Sequence, residues 1–437
     1  MTEAKAFETF DTLQTPPAAR LAPLGAHFYK LWLALTASLF GSEITKLAVP
    51  LTAVLILNAN ETENGLLSAA GQLPFLLFSL FIGVWVDRLP HRPLIIVADL
   101  ARAGALLVIP VLAVMNQLQL GHLYAVAFVV GAFSAMFEIA HYAYVPTMID
   151  RETLVHANSR IQISYSAADA AGPGLGGLLI RVLSAPFAIV FDVASYLISA
   201  VLLLQMGNQG NVKTQPEAPT AQPTNLSLWS GMSLLFGDAV LRSIIIASMI
   251  SGLFYSGFTA LYILYATRDL GLNPAAIGLI FAAGGTASVL STMIAQPLAA
   301  RFGTGRTIIV GWLLSYIGLL FVPLTAQVEA SSLWVVVMLI AAQAIYGLSE
   351  AIANIHQWSL RQAMTPPHLH GRVTAAHRFL VYGTMAIGAA LGGWISQRIG
   401  LSTALLVFVV GALLGPVWAI FTPLWRLQRP PETGIST

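Results

Sequence analysis

Apolar runs of about twenty residues, separated by short polar turns, recur from Phe28 almost to the end of the chain. A helix needs roughly 17–25 mainly apolar residues to cross a bilayer. About twelve stretches reach that length: 28–57, 66–87, 93–116, 122–148, 163–183, 186–206, 240–267, 274–299, 306–326, 333–358, 373–397 and 401–425. None shows the alternation over about ten residues that marks a membrane barrel strand. Gly, Ala, Ser and Pro are scattered through the runs, as in helices that pack closely within lipid. The pattern predicts an all-α polytopic membrane protein.

Composition removes the soluble alternative. Of 437 residues, 57% are hydrophobic and 9% charged, against about 25% charged in an average soluble domain. A net charge of +2 with dispersed basic residues points away from nucleic acid. The lack of cysteine excludes disulfides, thiolate zinc and thiol catalysis. Residues 1–27 carry Glu3, Glu8, Asp11, Pro16 and Pro17 and no apolar core, so they read as a tail and not as a removable signal.

Orientation follows from the basic residues in the short loops. Lys5, Arg20, Lys30, Arg88, Arg92, Arg151, Arg160, Lys213, Arg242, Arg301, Arg306, Arg361, Arg372, Arg378, Arg426 and Arg429 fall on one side. Only Arg181, Arg268 and Arg398 fall on the other, which puts both termini in the cytoplasm of a cell whose cytoplasmic (inner) membrane holds the protein.

The polar, proline-bearing stretch from Gly207 to Asn225 reads as a linker between two halves. Gly83–Ile96 aligns with Gln296–Ile309, and Leu175-Gly176-Gly177 with Leu391-Gly392-Gly393. The expected layout is a cytoplasmic tail (1–27), a six-helix bundle (28–206), a cytoplasmic linker (207–239), a second bundle (240–425) and a cytoplasmic tail (426–437). Two such repeats around a midplane site are the plan of alternating-access transporters.

Gly83-x-x-x-Asp87-Arg88-x-x-x-Arg92, followed by Asp99 and Arg102, resembles the loop signature of the major facilitator superfamily, in the twelve-helix drug-exporter branch that includes macrolide and enterobactin exporters. The resemblance implies that Gly83, Asp87, Arg88, Arg92, Asp99 and Arg102 form a conformational lock; the plainer alternative is that Arg88 and Arg92 are topology signals. Ala168 to Gly177, with Gly172, Pro173, Gly176 and Gly177, is similar to the family's antiporter motif, although Ala168 stands where that motif has glycine. The matching segment at Gly388–Gly393 has no proline, and by analogy this favours export. A dinucleotide loop is excluded at Gly172, Gly174 and Gly177 because no strand precedes them. The basic residue that many proton antiporters carry in the fourth helix is missing from 122–148.

Ionisable residues inside the spans are expensive and mark function by default. Glu43, Lys46, Glu138, Glu350, Asp169 and Asp192 are the coupling candidates. Glu43 and Lys46 share a helix face, as a structural ion pair or as a site whose carboxyl takes a proton. Glu138 and Glu350 hold nearly equivalent repeat positions, expected to face each other across the cavity and to suit a cation or a shared proton. Asp169 and Asp192 are expected at helix-packing positions. Phe254, Phe258, Tyr262 and Tyr265 form one stripe on the seventh helix, either bundle packing or a cavity wall for flat molecules. Arg378 and Tyr382 are further cavity candidates. His141 and His356 lack the companions of a metal site.

The expected function is a secondary active transporter that exports an amphipathic small molecule (a drug, antibiotic, siderophore or similar metabolite) in exchange for protons. No cofactor is expected beyond the proton gradient. The expected partners are a small-molecule substrate and the lipid bilayer, without nucleic acid, with a monomer as the working unit. An importer or lipid flippase of the same fold is the alternative. A membrane enzyme is disfavoured by the lack of a metalloprotease, nucleophile-elbow or nucleotide motif.

Overall fold

A computed structural model of the chain describes residues 25–149, 153–206, 228–327, 333–366 and 369–428. The first half is built from α1 (Ala26–Leu55), α2 (Glu61–Arg88), α3 (His91–Val114), α4 (Leu120–Met148), α5 (Leu154–Leu183) and α6 (Ala185–Leu204). A short helix, α7 (Leu228–Gly237), leads into the second half: α8 (Ala239–Arg268), α9 (Pro274–Phe302), α10 (Thr304–Leu319), α11 (Phe321–Leu324), α12 (Leu333–Ala363), α13 (His370–Ile399), α14 (Leu401–Ala412) and α15 (Leu414–Ile420). The linker expected over 207–239 is therefore helical at its end, while 207–227 lies outside the described residues.

Ten spans among the described residues are long and apolar enough to cross a bilayer, with α10–α11 and α14–α15 each counting as one broken span. The other two expected crossings are α2 and α5, which are 28 and 30 residues long. α2 lies along α13 and α5 along α9, so each packs across the seam between the halves. Packing repeats between the halves: α1 with α5 and α6 corresponds to α8 with α13 and α14, and α4 with α2 and α3 to α12 with α9 and α10.

The break between α14 and α15 has a local cause. Pro416 cannot donate to the carbonyl of Ala412 four residues earlier. Ser251 of α8 supplies the missing donor, its hydroxyl lying 2.9 Å from that oxygen. Such re-satisfaction is what makes a broken helix tolerable in lipid.

The halves close on each other at the end carrying the α1–α2 and α8–α9 turns. Arg268 Nη2 donates to the Ala59 carbonyl at 2.7 Å, and its Nη1 lies 3.8 Å from Glu61. Thr62 donates to Gln397 at 2.8 Å, and Asn64 to the Ala260 carbonyl. Backbones meet directly at Gly177 and Gly278, where a Cβ on either would collide with the other helix.

Candidate substrate cavity

α1, α5, α8, α9 and α12 enclose a cavity of about 380 Å³ at the seam between the halves. A second cavity of about 230 Å³ lies within the second half, and Tyr255, Tyr346, Glu350 and Asn354 belong to both. One face of α12 supplies much of the polar lining, because Gln343, Tyr346, Gly347, Glu350, Asn354 and Gln357 recur every three or four residues.

Lys46 Nζ donates to Glu43 Oε1 at 2.5 Å, so the pair expected from the sequence forms. The Lys46 side chain is nonetheless 70% exposed within the cavity, whereas Glu43 is 14% exposed. Glu350 accepts from Ser315 and Asn354, each at 3.2 Å. Among the described residues, neither Glu350 nor Asp169 has a basic side chain within 4 Å.

Several candidates stand elsewhere than expected. Asp169 lines the main cavity instead of filling a packing position. The reason is that its backbone does the packing: Pro173 cannot donate to the Asp169 carbonyl, and Gly285 of α9 sits directly over that oxygen. Glu138 does not face Glu350 across a cavity. Arg378 of the opposite half donates to it at 2.6 Å, and neither residue lines either of these two cavities. Tyr382 stacks on Phe75 of α2 with ring centres 4.7 Å apart, so it too belongs to the contact between halves. Asp192 is fully buried, as expected, and accepts from Ser195.

The aromatic stripe of α8 is core and not cavity wall. Phe258, Tyr262 and Tyr265 are at most 2% exposed, Phe254 packs on Phe408, and the Tyr265 hydroxyl lies 3.0 Å from that of Thr325. The cavity aromatic of this helix is Tyr255, one residue and about 100° of rotation away.

The lock candidates separate into two groups. Arg92 caps α6, its Nε and Nη2 donating to the carbonyls of Leu203 and Leu204 at 2.8 and 2.9 Å. Arg88 is exposed at the end of α2 and Gly83 falls within that helix, while the side chain of Asp87 lies outside the described residues. Asp99 and Arg102 are deep in the first half: Arg102 donates to Asp99, Ser199 donates to it at 2.6 Å, and the guanidinium lies between the rings of Phe137 and Tyr196.

The glycines of α5 serve two faces. A Cβ at Gly172 would meet Glu43 and one at Gly176 would meet Ile44, so both bring α1 close. Gly177 faces α9, and Pro173 lines the cavity. Sequence reasoning missed Tyr255, Phe281, Gln343, Tyr346 and Asn354; the polar stripe on an otherwise apolar α12 was the signal for the last three. No cluster of three metal-ligating side chains occurs among the described residues.

This arrangement can bind a molecule between two packed halves and change which end admits it. The comparisons agree. The chain is 27% identical to the multidrug efflux pump Tap of Mycolicibacterium fortuitum, over 91% of this chain and 95% of that protein. It is 24% identical to macrolide efflux protein A of Streptococcus pyogenes, over 86% and 90%. A bacterial homologue of the iron transporter ferroportin, solved in an inward-facing state, superposes with a TM-score of 0.72 at 16% identity, covering 91% of this chain and 99% of that one. The Major Facilitator Superfamily model matches residues 31–385 and 244–437. Twin helical halves, a cavity at their seam and a family match spanning both make this chain a membrane transporter, not an enzyme, and a member of the Major Facilitator Superfamily.

Proposed function

We propose that the chain is a secondary active exporter of amphipathic small molecules, driven by proton entry and working by alternating access. The observation that carries the reading is the cavity between the halves, with Glu43, Lys46, Asp169 and Glu350 on its wall. The basic loops argue for cytoplasmic termini. In that orientation the sealed end, with Arg268 and Gly177, faces outward. Efflux as the direction draws support from the relatives named as efflux proteins.

Coupling follows from charge. Among the described residues, neither Asp169 nor Glu350 has a basic side chain within 4 Å, and a bare carboxylate is costly in a low-dielectric seam. A proton from outside neutralises the empty carrier for its return, and a substrate from inside replaces that proton. Uptake into inside-out vesicles under an imposed pH gradient tests this: uptake that persists after the gradient collapses sinks proton coupling. Import, or lipid flipping, is separated by measuring unidirectional flux in right-side-out and inside-out vesicles.

A further inference from the structure

The exporter reading leaves the class of substrate open, and the second cavity narrows it. Its wall carries Tyr255, Trp312, Tyr316, Tyr346 and Trp358 around the carboxylate of Glu350. Tyr255 stacks on Tyr346 with centres 5.2 Å apart and lies 6.3 Å from Tyr316, so these three rings form a connected cluster, and Trp312 and Trp358 line the same cavity. Aromatic faces attract cations, most strongly where water is excluded, and quaternary ammonium groups are held in such cages.

A comparison with Glu138 sharpens the point. Glu138 is neutralised by Arg378 from the opposite half. Among the described residues Glu350 has no basic side chain within 4 Å and opens into the aromatic pocket. Of the other charged groups near this wall, His377 also lines the pocket, the buried Arg361 guanidinium lies 4.7 Å from the ring of Trp358, Lys46 faces the neighbouring cavity and Arg378 is held by Glu138.

We propose that the second-half cavity is an aromatic cage for the ammonium head group of an organic cation, with Glu350 as its counter-ion and the adjoining main cavity holding the apolar body. The proposal rests on the transporter reading only in taking this ligand as cargo. Its test needs no transport. Purified full-length protein in lipid nanodiscs is titrated, by fluorescence anisotropy, with a naphthalene amide bearing a trimethylammonium arm and with its counterpart bearing a hydroxyl arm. The cationic probe is expected to bind at least tenfold more tightly. Glu350→Gln should abolish that preference while keeping the affinity for the hydroxyl probe, which also reports an intact fold. Trp312→Leu should weaken the cation at least threefold more than the hydroxyl probe. A preference that survives Glu350→Gln, or that disappears in Glu43→Gln instead, overturns the proposal. If Glu350→Gln binds neither probe, Trp312→Leu and Tyr316→Leu decide: equal loss of both probes overturns it, and selective loss of the cation supports it. A preserved preference without vesicle transport would sink the exporter reading and leave the cage standing.

Discussion

Arg378 of α13 donates to Glu138 of α4 at 2.6 Å, joining the two halves well away from the sealed end. The pair is part-buried, with side chains 14% and 30% exposed. Such a contact biases a two-state equilibrium, because it exists only in conformations that keep α4 and α13 together. Glu138→Gln is expected to remove about 1–2 kcal/mol of that bias, roughly a 5–30-fold change in the ratio of states. The chain has no cysteine, so spin labels can be placed on α4 and α13 without background. Their distance distribution should shift in Glu138→Gln and in Arg378→Gln, and return in the exchanged pair Glu138→Arg with Arg378→Glu. Unchanged distances in both single variants would mean that the pair does not set the equilibrium.

How much of this was legible in the sequence depends on which physics set each feature. The apolar runs and the repeat are properties of each helix alone, so the spans and the two halves could be read directly. Which helices meet across the seam, α2 with α13 and α5 with α9, is a tertiary fact that no single span carries. Lys46 and Glu43 were readable as a pair because three residues on one helix fix the geometry. Glu138 was not, since its partner lies 240 residues away in the other half. Periodicity found the stripe at Phe254 and Phe258, but it could not say whether that face meets a cavity or a neighbouring helix. The rotation of α8 decides that, and hydropathy does not fix rotation.

Asp99 and Arg102 are 0% and 4% exposed, within the first half. Removing one partner of a buried ion pair leaves an uncompensated charge, at a cost of about 3–5 kcal/mol, whereas replacing both with apolar groups can be nearly neutral. Asp99→Leu is therefore expected to lower the melting temperature in detergent, and Asp99→Leu with Arg102→Met to recover most of the loss. The comparison separates stability from locking. A double variant that is stable but cannot transport assigns the pair a working role, and one that transports normally makes it structural.

The link from Ser251 to the Ala412 carbonyl makes a paired prediction. Ser251→Ala should cost about 1 kcal/mol, because it strands a buried acceptor. Pro416→Ala restores an N–H that can close the α14–α15 helix over the same carbonyl. In that background Ser251→Ala should cost much less. A double-mutant cycle by thermal unfolding measures the difference, and additive losses would show that the serine does not substitute for the proline's missing donor.

Lys46 provides a separate reading of the charge in the main cavity. Its ammonium is held by Glu43 yet is 70% exposed, so it acts on whatever enters. Lys46→Gln lowers the charge of the wall by one unit without adding bulk. An organic cation bound about 8 Å away would gain on the order of 2 kcal/mol at an effective dielectric of 20, and water in the cavity reduces that to a several-fold change in affinity. Cationic probes should therefore bind roughly 3–10-fold more tightly to Lys46→Gln, and anionic probes of the same body more weakly by a similar factor. Isothermal titration with the two probes at one pH checks both signs at once. If the two affinities move together, the substitution has altered the shape of the cavity and not its field.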